Sequence, residues 1–161
     1  MKKIAILFFI ISFVSCQPKK DNTDNSKEQK ATVDYTVAVK FISDYVTTLE
    51  KNKDENTTIQ WIANNGMLTA DFKNRYKELM DNARKDDPEL GLGFDPILDA
   101  QDYPDKNYVI QAIDSVTGFV TVSSNDSEDF QVILKVVSDG SQSKVEGSGV
   151  INIPEDQRAP R

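Results

Sequence analysis

Two hydrophobic periodicities divide this chain, and they never interleave. Between residues 35 and 84 the apolar side chains recur at helical spacing, and from residue 108 onward they alternate. A stretch broken by Pro88, Pro96 and Pro104, KDDPELGLGFDPILDAQDYPDK, separates the two regimes. Helices gathered first and strands afterwards predict an α+β domain: N-terminal helices packed on the apolar face of a curved antiparallel sheet of about four strands.

The helical half reads as three segments. Residues 35–50 place Ala38, Phe41, Ile42, Tyr45 and Leu49 on one face, with Asp34 as the cap. Valines and threonines lower the intrinsic propensity of this segment, so its stability must come from burial. Residues 51–55 read as a charged exit. Thr58 then caps a short helix over residues 59–64, which Gly66 ends in the left-handed conformation. Trp61, the only tryptophan, packs that helix on the core. Thr69 opens a third helix reaching about Arg84, with Phe72, Tyr76, Leu79, Met80 and Ala83 as its stripe. Asp71 near its start and Arg84 and Lys85 at its end suit the helix dipole.

The second half reads as a meander. Strands are expected over residues 108–116, 119–123, 130–137 and 144–153, with a turn at Thr117-Gly118, an NDSED connection and an Asp139-Gly140 hairpin. Phe130, Val132, Leu134 and Val136 share one face. The register between residues 141 and 149 is left open. In the long loop before the strands, Leu90, Leu92, Phe94, Ile97 and Leu98 argue for packing rather than free exposure.

The N-terminus supplies an address. Lys2 and Lys3 precede an apolar run over residues 4–11, the length of a secretory leader and short of the roughly 20 residues of a membrane span. Phe13, Val14 and Ser15 before Cys16 resemble the lipobox of bacterial lipoproteins, which implies acylation of the chain's single cysteine, palmitate included. The domain organisation that follows is a leader over residues 1–15, a flexible tether over 16–30, one α+β domain over 31–155 and a tail over 156–161. Gln17 stands where an aspartate would resemble an inner-membrane retention signal, so the expected location is the envelope, lipid-held in the outer membrane of a Gram-negative bacterium.

Charge and composition narrow the chemistry. Asp and Glu number 26 against 19 Lys and Arg, a net charge of −7, which opposes nucleic-acid binding. Histidine is absent, which removes imidazole acid–base chemistry, Ser-His-Asp and Cys-His nucleophiles and histidine zinc sites. The one constellation of interest is the loop set Phe94, Asp95, Asp99, Gln101 and Asp102, with Glu89 and Asp105 nearby. Asp95, Asp99 and Asp102 are the candidate ligands of a hard cation such as calcium, though their spacing does not match the twelve-residue calcium loop. The plainer account is a surface cluster in which Asp95 and Asp102 hydrogen-bond the local backbone. A carboxylate pair for glycoside hydrolysis is a further alternative with little around it. The SxxK at Ser141–Lys144 lacks companion motifs, and the GSG at Gly147–Gly149 lacks the strand-to-helix setting of a phosphate loop. No catalytic residue and no cofactor is expected.

FDPILDAQDYPD together with KVEGSGVINIP resembles the bacterial secreted and lipoprotein family described as domain of unknown function 3828. The resemblance covers residues 35–154, and Asp95-Pro96 with Gln101-Asp102 is its most specific part. It implies a cystatin-like or nuclear-transport-factor-2-like α+β fold and brings no catalytic residues. Some similar small envelope proteins act as immunity proteins or inhibitors, which implies a protein-binding role without assigning a target. The functional expectation is therefore a non-enzymatic binding or interaction module, held to the membrane through Cys16, with an envelope protein as possible partner. A small-ligand or calcium-binding protein is the alternative.

Overall fold

The computed structural model describes residues 32–52 and 54–160. The expected leader, Cys16 and the expected tether lie outside the described residues. Three helices pack on one face of a four-stranded antiparallel sheet of order β1-β2-β3-β4, as the segregated periodicities predict. No helix among the described residues is long and apolar enough to cross a membrane.

Helix α1, Thr36–Lys51, buries Ala38, Phe41, Ile42, Tyr45 and Val46. The cap position is Tyr35, not Asp34, and it makes no side-chain cap hydrogen bond; Asp34 sits one residue further out, its carboxylate accepting from Thr36 N at 2.9 Å and from the Thr36 hydroxyl at 2.6 Å. Helix α3, Ala70–Asp86, starts at Thr69, whose side chain accepts from Phe72 N, and it buries Phe72, Tyr76 and Ala83.

Helix α2, Glu55–Asn64, begins four residues earlier than its sequence pattern suggested. Its cap is Asp54, which accepts from Thr57 N and from the Thr57 hydroxyl at 2.9 Å each. A carboxylate brings a full negative charge to the positive end of the dipole, so Asp54 outcompetes Thr58, which is buried inside the helix. Gly66 does not take a positive φ. The chain leaves through extended Asn65, whose Oδ1 accepts from Met67 N at 2.8 Å, so an Asn-based turn replaces the glycine stop. Trp61 stacks on Phe41, fulfilling its expected packing role.

The strands are β1, Tyr108–Asp114; β2, Phe119–Ser124; β3, Ser127–Asp139; and β4, Gln142–Ser148. Val120, Val122, Phe130, Val132, Leu134, Val136 and Val145 are all buried and belong to the same core as the α1 face. The β2–β3 connection is shorter than expected: NDSED contributes only Asn125 and Asp126 to the turn, and β3 is already under way at Ser127. The β4 register is settled by Asp139 opposite Gln142 and Leu134 opposite Ser148, with a shift between Lys135 and Val136. The outer side of β4 is met by residues 67–69: Val145 N donates to Met67 O at 2.8 Å, and Thr69 N donates to Val145 O at 3.1 Å.

β4 ends at Ser148, not at Ile153. Gly149 turns the chain at φ +61°, and Ile151 comes back to bridge Ser148. A straight strand is abandoned because the backbone beyond it has another partner: Val150 N donates to Pro96 O at 2.9 Å. Beyond that turn Glu155–Gln157 form a single 3-10 turn, and Arg158 Nε donates to Ile153 O at 3.2 Å.

Candidate functional site

The loop between α3 and β1 is built from short local hydrogen bonds. Asp87 Oδ1 accepts from Glu89 N and Leu90 N, and Gly91 and Gly93 turn at positive φ. Asp95 then organises the next turn, its Oδ1 accepting from Ile97 N at 2.9 Å and Leu98 N at 2.8 Å. Asp95 N donates to Ala100 O at 2.9 Å, which closes that turn. The side chains it presents, Ile97 and Leu98, are fully buried in the core, whereas Leu90 is 76% exposed and takes no part in the packing expected of it.

This turn rests on the end of β4. The buried Ser148 hydroxyl donates to Ile97 O at 2.9 Å. A Cβ at Gly149 would come within 2.5 Å of both Pro96 O and Ile97 O, so a side chain is excluded there on contact as well as on φ. GSG is therefore a close-packing device, in line with its lack of a phosphate-loop setting. Asp95-Pro96 and Gly147–Gly149, far apart in the chain, form one contact.

The second oxygen of Asp95 faces helix α1, where the Tyr45 hydroxyl donates to Oδ2 at 2.7 Å. The carboxylate thus accepts three hydrogen bonds. Burial pushes its pKa above the usual 3.8, opposed by the Tyr45 hydroxyl and the two amides. The same environment raises the Tyr45 phenol well above 10, through burial first and the Asp95 charge second. Tyr76 is likewise raised, by burial and then by Asp95.

Beside this pair lies a cleft of about 490 Å³ between the helices and the loop. Its walls include Tyr45 and Leu49 from α1, Tyr76 and Met80 from α3, and Phe94, Asp95, Pro96 and Tyr103 from the loop; Glu50, Asn52, Glu55 and Thr58 complete its lining. Glu55 pairs with Arg84 at 3.0 Å, which also ties α2 to α3.

The expected loop residues do not share one site. Asp99, Gln101 and Asp102 line a second cleft of about 650 Å³ together with Asp129 and Phe130, and Phe94 and Tyr103 border both clefts. Asp95 shapes its turn as the plainer reading holds, but Asp102 is exposed and sits outside that turn. Among the described residues no group of three or more His, Cys, Asp or Glu side chains is placed to hold a metal ion. Lys144 of the SxxK segment pairs with Asp139 across the hairpin at 2.6 Å.

Tyr45, Tyr76 and Tyr103 were not among the sequence candidates. The first two occupy stripe positions of amphipathic helices, where they count as core. The available signal was their chemistry: a tyrosine on a buried stripe needs a partner for its hydroxyl, and Asp95 is a carboxylate in a segment otherwise pulled into the core. No family model, no curated protein and no solved structure matches the chain.

Proposed function

We propose that this chain is a lipid-anchored envelope protein whose α+β domain is a non-catalytic binding module, with the Tyr45–Asp95 cleft as its site. One observation carries the reading: a carboxylate held by three hydrogen bonds stands in the wall of an aromatic-lined cleft of about 490 Å³. That size lies within the roughly 300–1,000 Å³ usual for ligand pockets, and apolar walls with few, fixed polar groups are their usual lining. The hydrogen bonds favour binding over proton transfer. Three of the roughly four acceptor positions of the carboxylate are filled, and a charge fixed in this way meets a ligand without rearrangement.

The contact between the Asp95-Pro96 turn and Gly147–Gly149 supports taking the two motifs as a single family signature and, with it, the resemblance to the lipoprotein family and its cystatin-like or nuclear-transport-factor-2-like fold. Anchoring rests on Lys2, Lys3, the apolar run and Cys16. Several acyl chains make such attachment durable, because each buried methylene contributes about 0.8 kcal/mol and one chain alone is marginal.

Each half of the proposal has its own test. Palmitate incorporation into wild type and Cys16→Ser is expected to differ completely, and equal labelling removes the anchor. Binding is read by Trp61, whose ring centre lies 5.9 Å from that of Tyr45. Screening small molecules against the full chain in detergent should give saturable fluorescence changes that Tyr76→Leu weakens. Changes indifferent to Tyr76 would move the site elsewhere.

A further inference from the structure

We infer that the cleft beside Tyr45 and Asp95 takes a small organic cation of the alkylammonium class. The inference rests on the binding reading above and adds the chemistry of the occupant. The carboxylates in the lining are Asp95, Glu50 and Glu55, and no lysine or arginine is among the lining residues. The nearby cation, Arg84, is already engaged by Glu55. The whole chain carries a net charge of −7, so the long-range field also favours cations.

Aromatic rings turn that preference into a class. Phe94 and Tyr103 offer half-buried rings to the cleft, and Tyr45 and Tyr76 back it from the core; an aromatic ring attracts a cation that has shed part of its water. A bare metal ion wants six or more oxygen ligands and strips poorly onto rings, and the Asp95 oxygens are already committed to Tyr45, Ile97 and Leu98. An alkylammonium group suits the lining better. Its methyl groups pack against Leu49, Met80 and the rings, while its diffuse charge is met by Asp95 without direct coordination. An anionic ligand would face Asp95 and Glu50, and a neutral one would leave both without a cation. The raised pKa of Asp95 agrees, since a buried carboxylate lacking a cation is disfavoured in its charged form.

Choline, neohexanol and benzoate separate the possibilities. Neohexanol has the shape of choline with carbon in place of the charged nitrogen, and benzoate reverses the charge. Each is titrated into the full chain in detergent, followed by Trp61 fluorescence and thermal shift. Choline is expected to bind about tenfold or more tighter than neohexanol, the scale of a desolvated cation–π contact. Tyr103→Leu should weaken choline by about tenfold, while Tyr103→Phe, which keeps the ring, should hold it within about a factor of two. Glu50→Gln, at an exposed position that does not risk the fold, should weaken choline and leave neohexanol unchanged.

Equal affinity for choline and neohexanol, or tighter binding of benzoate, overturns the cation while leaving the cleft a binding site. Failure of all three probes to move fluorescence or melting in a wild-type protein that unfolds cooperatively overturns the cation and the cleft together.

Discussion

Replacing Tyr45 with Phe isolates the one hydrogen bond on which the site depends. The ring stays, and with it the stacking on Phe41 and the proximity to Trp61; only the hydroxyl that donates to Asp95 Oδ2 is lost. A hydrogen bond to a charged acceptor contributes about 1.5–3 kcal/mol, so a loss near ~2 kcal/mol is expected at neutral pH. The loss must also depend on pH. Burial holds the native pKa of Asp95 above its ordinary 3.8, so the folded state binds that proton more tightly than the unfolded chain does. This contribution to stability is complete below pH 3.8 and is lost as pH rises through the raised native value. The Tyr45 hydroxyl opposes the rise by favouring the ionised form, and without it the native value climbs further. Tyr45→Phe should therefore cost most at neutral pH, where the carboxylate is charged, and little at about pH 3, below even its ordinary value, where it is neutral. The other titratable groups lining the cleft with Asp95 are Glu50 from α1, Glu55 from α2, Tyr76 from α3 and Tyr103 from the loop. They are common to both proteins and cancel in the comparison. Urea unfolding of the full chain at the two pH values, followed by Trp61 fluorescence, measures the difference. Equal losses at both, or a neutral-pH loss below about 0.5 kcal/mol, would refute a charged Asp95 held by Tyr45.

Four further substitutions probe the frame around that bond. Gly149→Ala forces a Cβ against Pro96 O and Ile97 O at a positive φ and should cost about 3 kcal/mol or prevent folding; soluble protein with an unchanged urea midpoint would contradict the packing. Ser148→Ala leaves the buried Ile97 carbonyl without its hydroxyl donor and should cost about 1–2 kcal/mol in the same assay. Asp54→Ala should fray the first turn of α2, seen as faster amide exchange at Thr57 with the rest of the helix little changed. Lys144→Ala breaks an ion pair with a largely exposed Asp139 and should shift stability by less than about 1 kcal/mol, leaving the binding of choline untouched.

Architecture was legible because it follows from periodicity. The helical stripe through Ala38, Phe41, Ile42 and Tyr45 and the alternation Phe130, Val132, Leu134, Val136 leave few ways to bury both faces, and the structure uses the one they imply. The misreadings fall at element ends, where rival local groups of similar strength decide the outcome. Asp54 and Thr58 can each cap a helix, and the difference lies in charge at the dipole rather than in any pattern of apolar residues. The end of β4 was hidden for another reason. KVEGSGVINI alternates well enough to continue as a strand, and only the Pro96 carbonyl, about fifty residues earlier in the chain, draws Val150 away from it.

The site was half legible for a reason that bears on its chemistry. Sequence proximity grouped Asp95 with Asp99 and Asp102, yet the turn that Asp95 organises points it toward α1 and leaves the other two on a different cleft. Carboxylates close in sequence repel one another and separate when each has a better partner, and here the better partner is a tyrosine fifty residues away. Tyr45 and Tyr76 escaped notice because a tyrosine on an amphipathic stripe is indistinguishable from any other core aromatic until its hydroxyl is placed. A phenylalanine would fill the same space on α1 without the need to satisfy a polar atom. Tyrosine at residue 45 therefore has to be explained by what its oxygen meets, and that oxygen meets a carboxylate whose other atom already holds the turn together. The arrangement makes the loop and the cleft one mechanical unit: whatever engages the charge of Asp95 acts on the turn seated against Gly149, so binding in the cleft and the stability of the sheet end are coupled through a single side chain.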